Sequence, residues 1–151
     1  MPRTVIADAS CLIVLTNIGE LALLHKIYGN VVTTREVAAE YDEPLPEWIE
    51  IISVTDLRKQ QLLELQLDQG EASAIALALE TLNSTIILDD YKARKIAARL
   101  GLSYTGTIGV IIKAKLQGII PAVRPLLTKI KQTNFHLSAD LERQALLLSE
   151  E

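Results

Sequence analysis

Thr85-Ile86-Ile87-Leu88, running straight into Asp89-Asp90, decides how this chain is read. The run is mostly β-branched and follows a polar Asn83-Ser84 turn. A segment this apolar has the character of a strand buried on both faces of a parallel sheet. Side chains alternate across a strand, so the two adjacent acids at its end cannot both point the same way. Acids at the carboxyl end of such a strand sit where open α/β sheets place their ligands. Val5-Ile6-Ala7-Asp8 repeats the arrangement near the start of the chain. Two strands that each end in an acid predict one shared anionic pocket.

Working outward, Arg3 to Ala7 reads as the first strand, with Asp8 or Ser10 capping a helix through about Asn17. Gly19 breaks that helix, and Glu20 to Ile27 reads as another. Val31 to Thr33 is a short strand, and Thr34 caps a helix from Arg35 to Tyr41. Glu36 and Glu40 lie four apart on that helix, on one face. Two prolines keep the segment from Asp42 to Pro46 out of a helix. Ile49 to Val54 reads as an edge strand and Asp56 to Leu67 as a helix. After a break at Asp68-Gln69-Gly70, an Ala- and Leu-rich helix runs from Glu71 to Leu82. Glu71 thus stands in a first turn, where the helix dipole favours a carboxylate. Beyond the central strand follow a helix from Lys92 to Leu100, a strand from Leu102 to Thr105, and helices from about Ile108 to Gln117, Pro121 to Gln132 and Ser138 to Ser149. Strands alternating with helices predict a parallel α/β sheet.

With 151 residues, 49% of them hydrophobic and 23% charged, the chain has the size and composition of a single globular domain. No apolar run approaches the roughly 18 residues needed to span a bilayer, so a membrane partner is not expected. Met1-Pro2-Arg3 lead straight into the first strand without a signal-peptide pattern. Cys11 is the one cysteine, which rules out an internal disulfide and agrees with a cytoplasmic protein. Net charge is −4, but nine of the basic residues fall between Lys92 and Lys131, a stretch without Asp or Glu. Lys92, Lys95 and Arg99 are spaced to share one helical face directly after the acid pair, and Lys113 or Lys115 is expected close by. Such a segment beside an acidic pocket is the electrostatic footprint expected of a polyanion partner. Aromatic residues make up only 4%, so no base-stacking platform is visible.

The acids at element ends are Asp8, Glu36 or Glu40, Glu71, Asp89 and Asp90. Like charges gathered in one pocket repel unless cations lie between them. Oxygen donors without a His or Cys cluster favour Mg²⁺ or Mn²⁺ over zinc, and such ions support in-line phosphoryl displacement. Other acid-using folds fit less well. A haloacid-dehalogenase-like phosphatase needs an acid two residues after its first Asp, where this chain has Ser10. A response-regulator receiver has its acid pair first, whereas here the single Asp8 precedes the pair. The strings around Gly101, Gly106 and Gly109 match neither a P-loop nor a dinucleotide fingerprint. Cys11 lies in an apolar run and reads as a small buried hydrophobe.

Asp8-Ala9-Ser10 after an opening strand resembles the start of a PIN domain. Gly70-Glu71-Ala72 opening an Ala-rich helix, Leu88-Asp89-Asp90 followed by Ala93-Arg94, Gly106-Thr107-Ile108-Gly109-Val110 and Val123-Arg124-Pro125-Leu126-Leu127 are similar to the small prokaryotic DUF3368 branch, related to VapC-type toxins. The resemblance covers nearly the whole chain. It implies a PIN-like three-layer α/β/α domain over residues 1–151 with a central, mostly parallel sheet, acting as an Mg²⁺- or Mn²⁺-dependent ribonuclease. It also implies a toxin neutralised by a small antitoxin. By position, Asp8, Glu40, Glu71 and Asp90 take the places of the family's acids, Glu36 stays an alternative to Glu40, and Asp89 is an additional ligand beside Asp90. Ser10 and Thr107 are the polar partners of the metal or its water. Glu71 stands where many PIN domains have Asp, one methylene longer. The C-terminal stripe of Leu141, Ala145 and Leu148 is available for internal packing or a homodimer.

Overall fold

The computed structural model describes residues 3–151. Met1 and Pro2, read above as leading into the first strand, lie outside the described residues. In chain order the elements are β1 (Thr4–Ala7), α1 (Ala9–Asn17), α2 (Ala22–Tyr28), β2 (Val31–Thr33), α3 (Arg35–Tyr41), β3 (Ile49–Ile51), α4 (Leu57–Leu63), α5 (Gln69–Leu79), β4 (Ser84–Ile87), α6 (Tyr91–Arg99), β5 (Ser103–Thr105), α7 (Thr107–Leu116), α8 (Arg124–Ile130) and α9 (Ala139–Leu148). The strands form one parallel sheet in the order β3-β2-β1-β4-β5. The three-layer α/β/α arrangement expected from the sequence is therefore present.

Strand parity sorts the core into two layers. Val5, Ala7 and Ile87 pack on one side of the sheet with α1, α2 and α7, while Ile6, Ile86 and Leu88 pack on the other with α5 and α6. Both central strands are buried on both faces, which is why β1 and β4 read as continuous apolar runs. α3 packs against both α1 and α5 at the carboxyl edge of the sheet. Its start is fixed by Thr34, whose hydroxyl accepts from the Val37 N–H at 3.1 Å and lies 2.7 Å from the Ser73 hydroxyl of α5.

The chain runs from β1 outward to β3, then returns to add β4 and β5 on the other side of β1. The point of reversal lies between β1 and β4, and ligands of open α/β sheets bind outside the carboxyl ends of the strands at such a point. Register places Ala7 opposite Ile87, so Asp8 follows one strand where Leu88 follows the other.

The expected helices form, with ends shifted by a few residues. Helix α8 begins at Arg124 rather than near Pro121, and Glu151 accepts from the Val123 and Arg124 backbone N–H groups at its start. The C-terminal stripe divides: Ala145 is buried against the core, whereas Leu148 is 63% exposed. Among the described residues no single helix is long and apolar enough to cross a membrane.

Candidate functional site

Asp8 occupies the N-cap position of α1, yet its side chain makes no capping bond. Asp8 is instead buried, at 5% exposure, in a pocket it lines with Ser10, Ile13, Val14, Asn17, Glu40, Asp68, Glu71, Thr133, Asn134 and Phe135. Each acid arrives on a different local device. Glu40 comes from the last turn of α3. Asp68 caps α5 by accepting from the Glu71 N–H at 2.8 Å, which sets both acids at the mouth of one helix. Gly70 lies between Glu40 and Asp68: a Cβ there would be in ordinary contact with the Glu40 Oε1 at 3.4 Å and the Asp68 Oδ1 at 3.7 Å.

The electrostatics follow from that crowding. Burial, then the charges of Glu71, Asp68 and Glu40, push the Asp8 carboxyl from 3.8 up to about 7, against the pull of the Ala9 backbone N–H. Burial and the charges of Asp68, Asp90 and Glu40 likewise push Glu71 up to about 7. Glu40 is raised too, by burial and by Asp68. No Lys or Arg is among the groups that act on these three carboxyls. An anionic pocket without an internal cation is suited to an external one.

The pair Asp89-Asp90 is split by parity, as alternation requires. Asp89 turns to the α7 side, where one oxygen accepts from the Thr107 N–H at 2.8 Å and the other from the Thr107 hydroxyl at 2.5 Å. A Cβ at Gly106 would meet the Asp89 Oδ1 at 3.0 Å, so glycine is what leaves room for this carboxylate. Asp90 turns to the α5 side, caps α6 through the Ala93 N–H at 3.0 Å, and lies close enough to Glu71 to raise it.

The expected site residues are thus sorted. Asp8, Ser10, Glu40 and Glu71 come together, and Asp90 stands beside Glu71. Asp89, expected as an additional ligand, has both oxygens engaged by Thr107, and Thr107 is fully buried on that bond. Glu36 faces away and accepts from the Gln60 side-chain amide at 2.6 Å, which leaves Glu40 as the acid of α3 in the pocket. In the sequence Asp68 reads only as part of a helix break. Its signal was present in the sequence, because an Asp three residues before Glu71 is a cap that points where the helix points. Among the described residues, no three Asp, Glu, His or Cys side chains converge tightly enough to hold a metal ion as they stand. The donor chemistry fits a hard divalent cation, but the side chains have to draw together around it.

The basic residues separate into groups. Lys92, Lys95 and Arg99 do share a face of α6, lining a groove with Gln66, Tyr91 and Ile96. Lys113 does not join them. It sits over the Tyr28 ring at 4.8 Å in a cleft with Arg3, because α7 packs on the other side of the sheet from α6. Lys115 is taken up by the Ser149 carbonyl at 2.5 Å and Glu151 at 3.7 Å.

Compared with known families, residues 4–151 match a family model described as DUF3368: PIN domain. Comparison with curated proteins and with solved structures gives no match.

Proposed function

The chain belongs to the DUF3368 family of PIN domains, a nuclease-type fold, and from that premise we propose that it is a metal-dependent endoribonuclease. The observation that carries this reading is the convergence of Asp8, Glu40, Asp68 and Glu71 on one pocket at the switch point of the sheet, with two of the carboxyls held near neutrality. PIN domains typically use divalent metal ions, and Asp8, Glu71 and Glu40, with Asp68 and Asp90 beside them, would hold Mg²⁺ or Mn²⁺ here. A bound ion of this kind supplies charge neutralisation at the phosphoryl group and activation of water. The chain's residues do the rest. Asp8 and Glu71 give up their protons when the cation enters and bring full negative charge to it. Asp68 adds a further carboxylate to the pocket, whose repulsion the cation relieves, while holding the start of α5 in place. Asn17 and Asn134 add to the pocket lining uncharged polar groups that do not repel a phosphodiester.

In the cell we place this activity in the cytoplasm, as the toxin of a toxin–antitoxin pair neutralised by a small protein; the support is the resemblance to VapC-type toxins. The test is cleavage of single-stranded RNA in Mn²⁺ or Mg²⁺. The parent chain is expected to cleave with either ion and not in a chelator, and Asp8→Asn is expected to be inactive. A parent chain that cleaves no RNA under any of these conditions overturns the reading.

A second reading has one observation in its favour. Because no three acids converge as they stand, the same pocket suits a chain that binds RNA or a protein partner without cleaving. RNA binding by a parent chain that shows no cleavage in either ion selects it.

A further inference from the structure

The groove along α6 has features that an acid pocket alone does not explain. Its floor and walls are Gln66, Tyr91, Lys92, Lys95, Ile96 and Arg99, with no acid among them, around a cavity of about 330 Å³. That is the size range of small-ligand clefts, about 300 to 1,000 Å³. None of the three cations makes an ion pair among the described residues. Tyr91 is 74% exposed, unusual for an aromatic side chain in a chain with so few. Lys95 sits over its ring at 5.4 Å, which orients the ring and covers one face only. Tyr91 directly follows Asp90, whose charge acts on Glu71 of the acid pocket, and Gln66 of the groove stands two residues before Asp68 of that pocket.

We propose that this groove is the path of single-stranded RNA next to the acid pocket, with Tyr91 as the platform on which one unpaired base stacks and Lys92, Lys95 and Arg99 as the contacts to its backbone phosphates. The inference rests on the ribonuclease reading for its ligand and adds the groove and the side chains of this chain that seat the strand. The occupant follows from charge and shape together. Three unpaired cations in a row suit a polyanion. An exposed ring beside them suits a base whose face is free, which a single strand offers and the interior of a duplex does not. Ile96 adds an apolar wall to the same groove. A small aromatic count thus still provides a platform where position supplies it.

The test reads binding, not cleavage. In an Asp8→Asn background, a labelled single-stranded oligoribonucleotide of mixed sequence and the same strand annealed to its complement are titrated by fluorescence anisotropy at several salt concentrations. Tyr91→Ala is expected to weaken single-strand binding by about 5- to 150-fold, the range for losing one stacked base, with the salt slope kept and duplex binding changed less than about twofold. Tyr91→Phe, which keeps the ring, is expected to bind as the background does. Neutralising Lys92, Lys95 and Arg99 to Gln together is expected to flatten the single-strand salt slope by about 2, at roughly 0.7 per phosphate contact. Single-strand binding unchanged by Tyr91→Ala, an equal loss on duplex, or no single-strand binding by the background protein overturns the proposal. If the parent cleaves RNA but Tyr91→Ala changes no affinity, the groove assignment fails and the ribonuclease reading stands. The converse result, a Tyr91-dependent single-strand preference without cleavage, leaves the groove and removes the activity.

Discussion

Asp89 accepts from Thr107 with both carboxylate oxygens, from the backbone N–H and the hydroxyl, and so caps α7 from across the sheet edge. Hydrogen bonds to a charged partner contribute about 1.5 to 3 kcal/mol each. Thr107→Val removes one of the two and leaves one oxygen of a half-buried carboxylate without its partner. The expected loss is about 2 kcal/mol in urea denaturation, and Thr107→Ser should restore most of it. Asp90→Ser is the contrast, because serine replaces aspartate at an N-cap at little cost. It should leave stability within about 0.5 kcal/mol of the parent. Equal losses at the two positions would mean that parity does not separate the pair as described.

The acid pocket gives the metal-free protein an unusual pH dependence. Asp8 and Glu71 are both raised in the folded chain, from 3.8 and 4.5 to about 7. Folding therefore favours their protonated forms. The stability they contribute is complete below about pH 4 and is lost as pH rises through about 7. For the buried Asp8 a shift of this size corresponds to on the order of 4 kcal/mol; Glu71 is more open to solvent and contributes less. In a chelator, the melting temperature should fall between pH 5 and pH 8. Asp8→Asn should flatten the fall and raise stability at pH 8. A parent chain whose stability is level or rising across that window would show that the carboxyls are not crowded.

Asp68 combines two effects that substitution can separate. Asn serves as well as Asp at an N-cap, so Asp68→Asn keeps α5 capped while removing a charge that acts on Asp8, Glu40 and Glu71. Carboxyl titration by carbon NMR should show the midpoints of Asp8 and Glu71 moving down toward ordinary values. Affinity for Mn²⁺ should fall by about tenfold or more, as for other groups that tune metal ligands. Unchanged midpoints would remove Asp68 from the site.

The layers and the sheet were legible because β1 and β4 carry β-branched runs that only a doubly buried strand accommodates. Asp8 was legible for the same reason, as the polar residue that ends such a run. What separates Asp89 from Asp90 was half legible. Alternation says that they diverge, but which one meets Thr107 depends on the register of β4 against β5, where Ile87 pairs with Thr105. The choice of Glu40 over Glu36 depends on how α3 lies along α5, fixed by the Thr34–Ser73 contact. Lys113 was grouped with Lys92 by sequence and charge, yet β5 and the crossover to α7 carry it to the other side of the sheet. Asp68 is not legible as a site residue, because a loop acid before a helix is ordinarily only a cap, and here it is also a wall of the pocket.

Calorimetric titration of Mn²⁺ into the parent chain, Asp8→Asn and Glu71→Gln at pH 7 tests most directly whether this pocket is a cation site. The account predicts that the parent binds with net release of protons, since carboxyls held near neutrality must ionise to take the ion. It also predicts that each variant, although folded, loses at least tenfold in affinity. Equal Mn²⁺ affinity in all three proteins, or no binding by the parent, would contradict it.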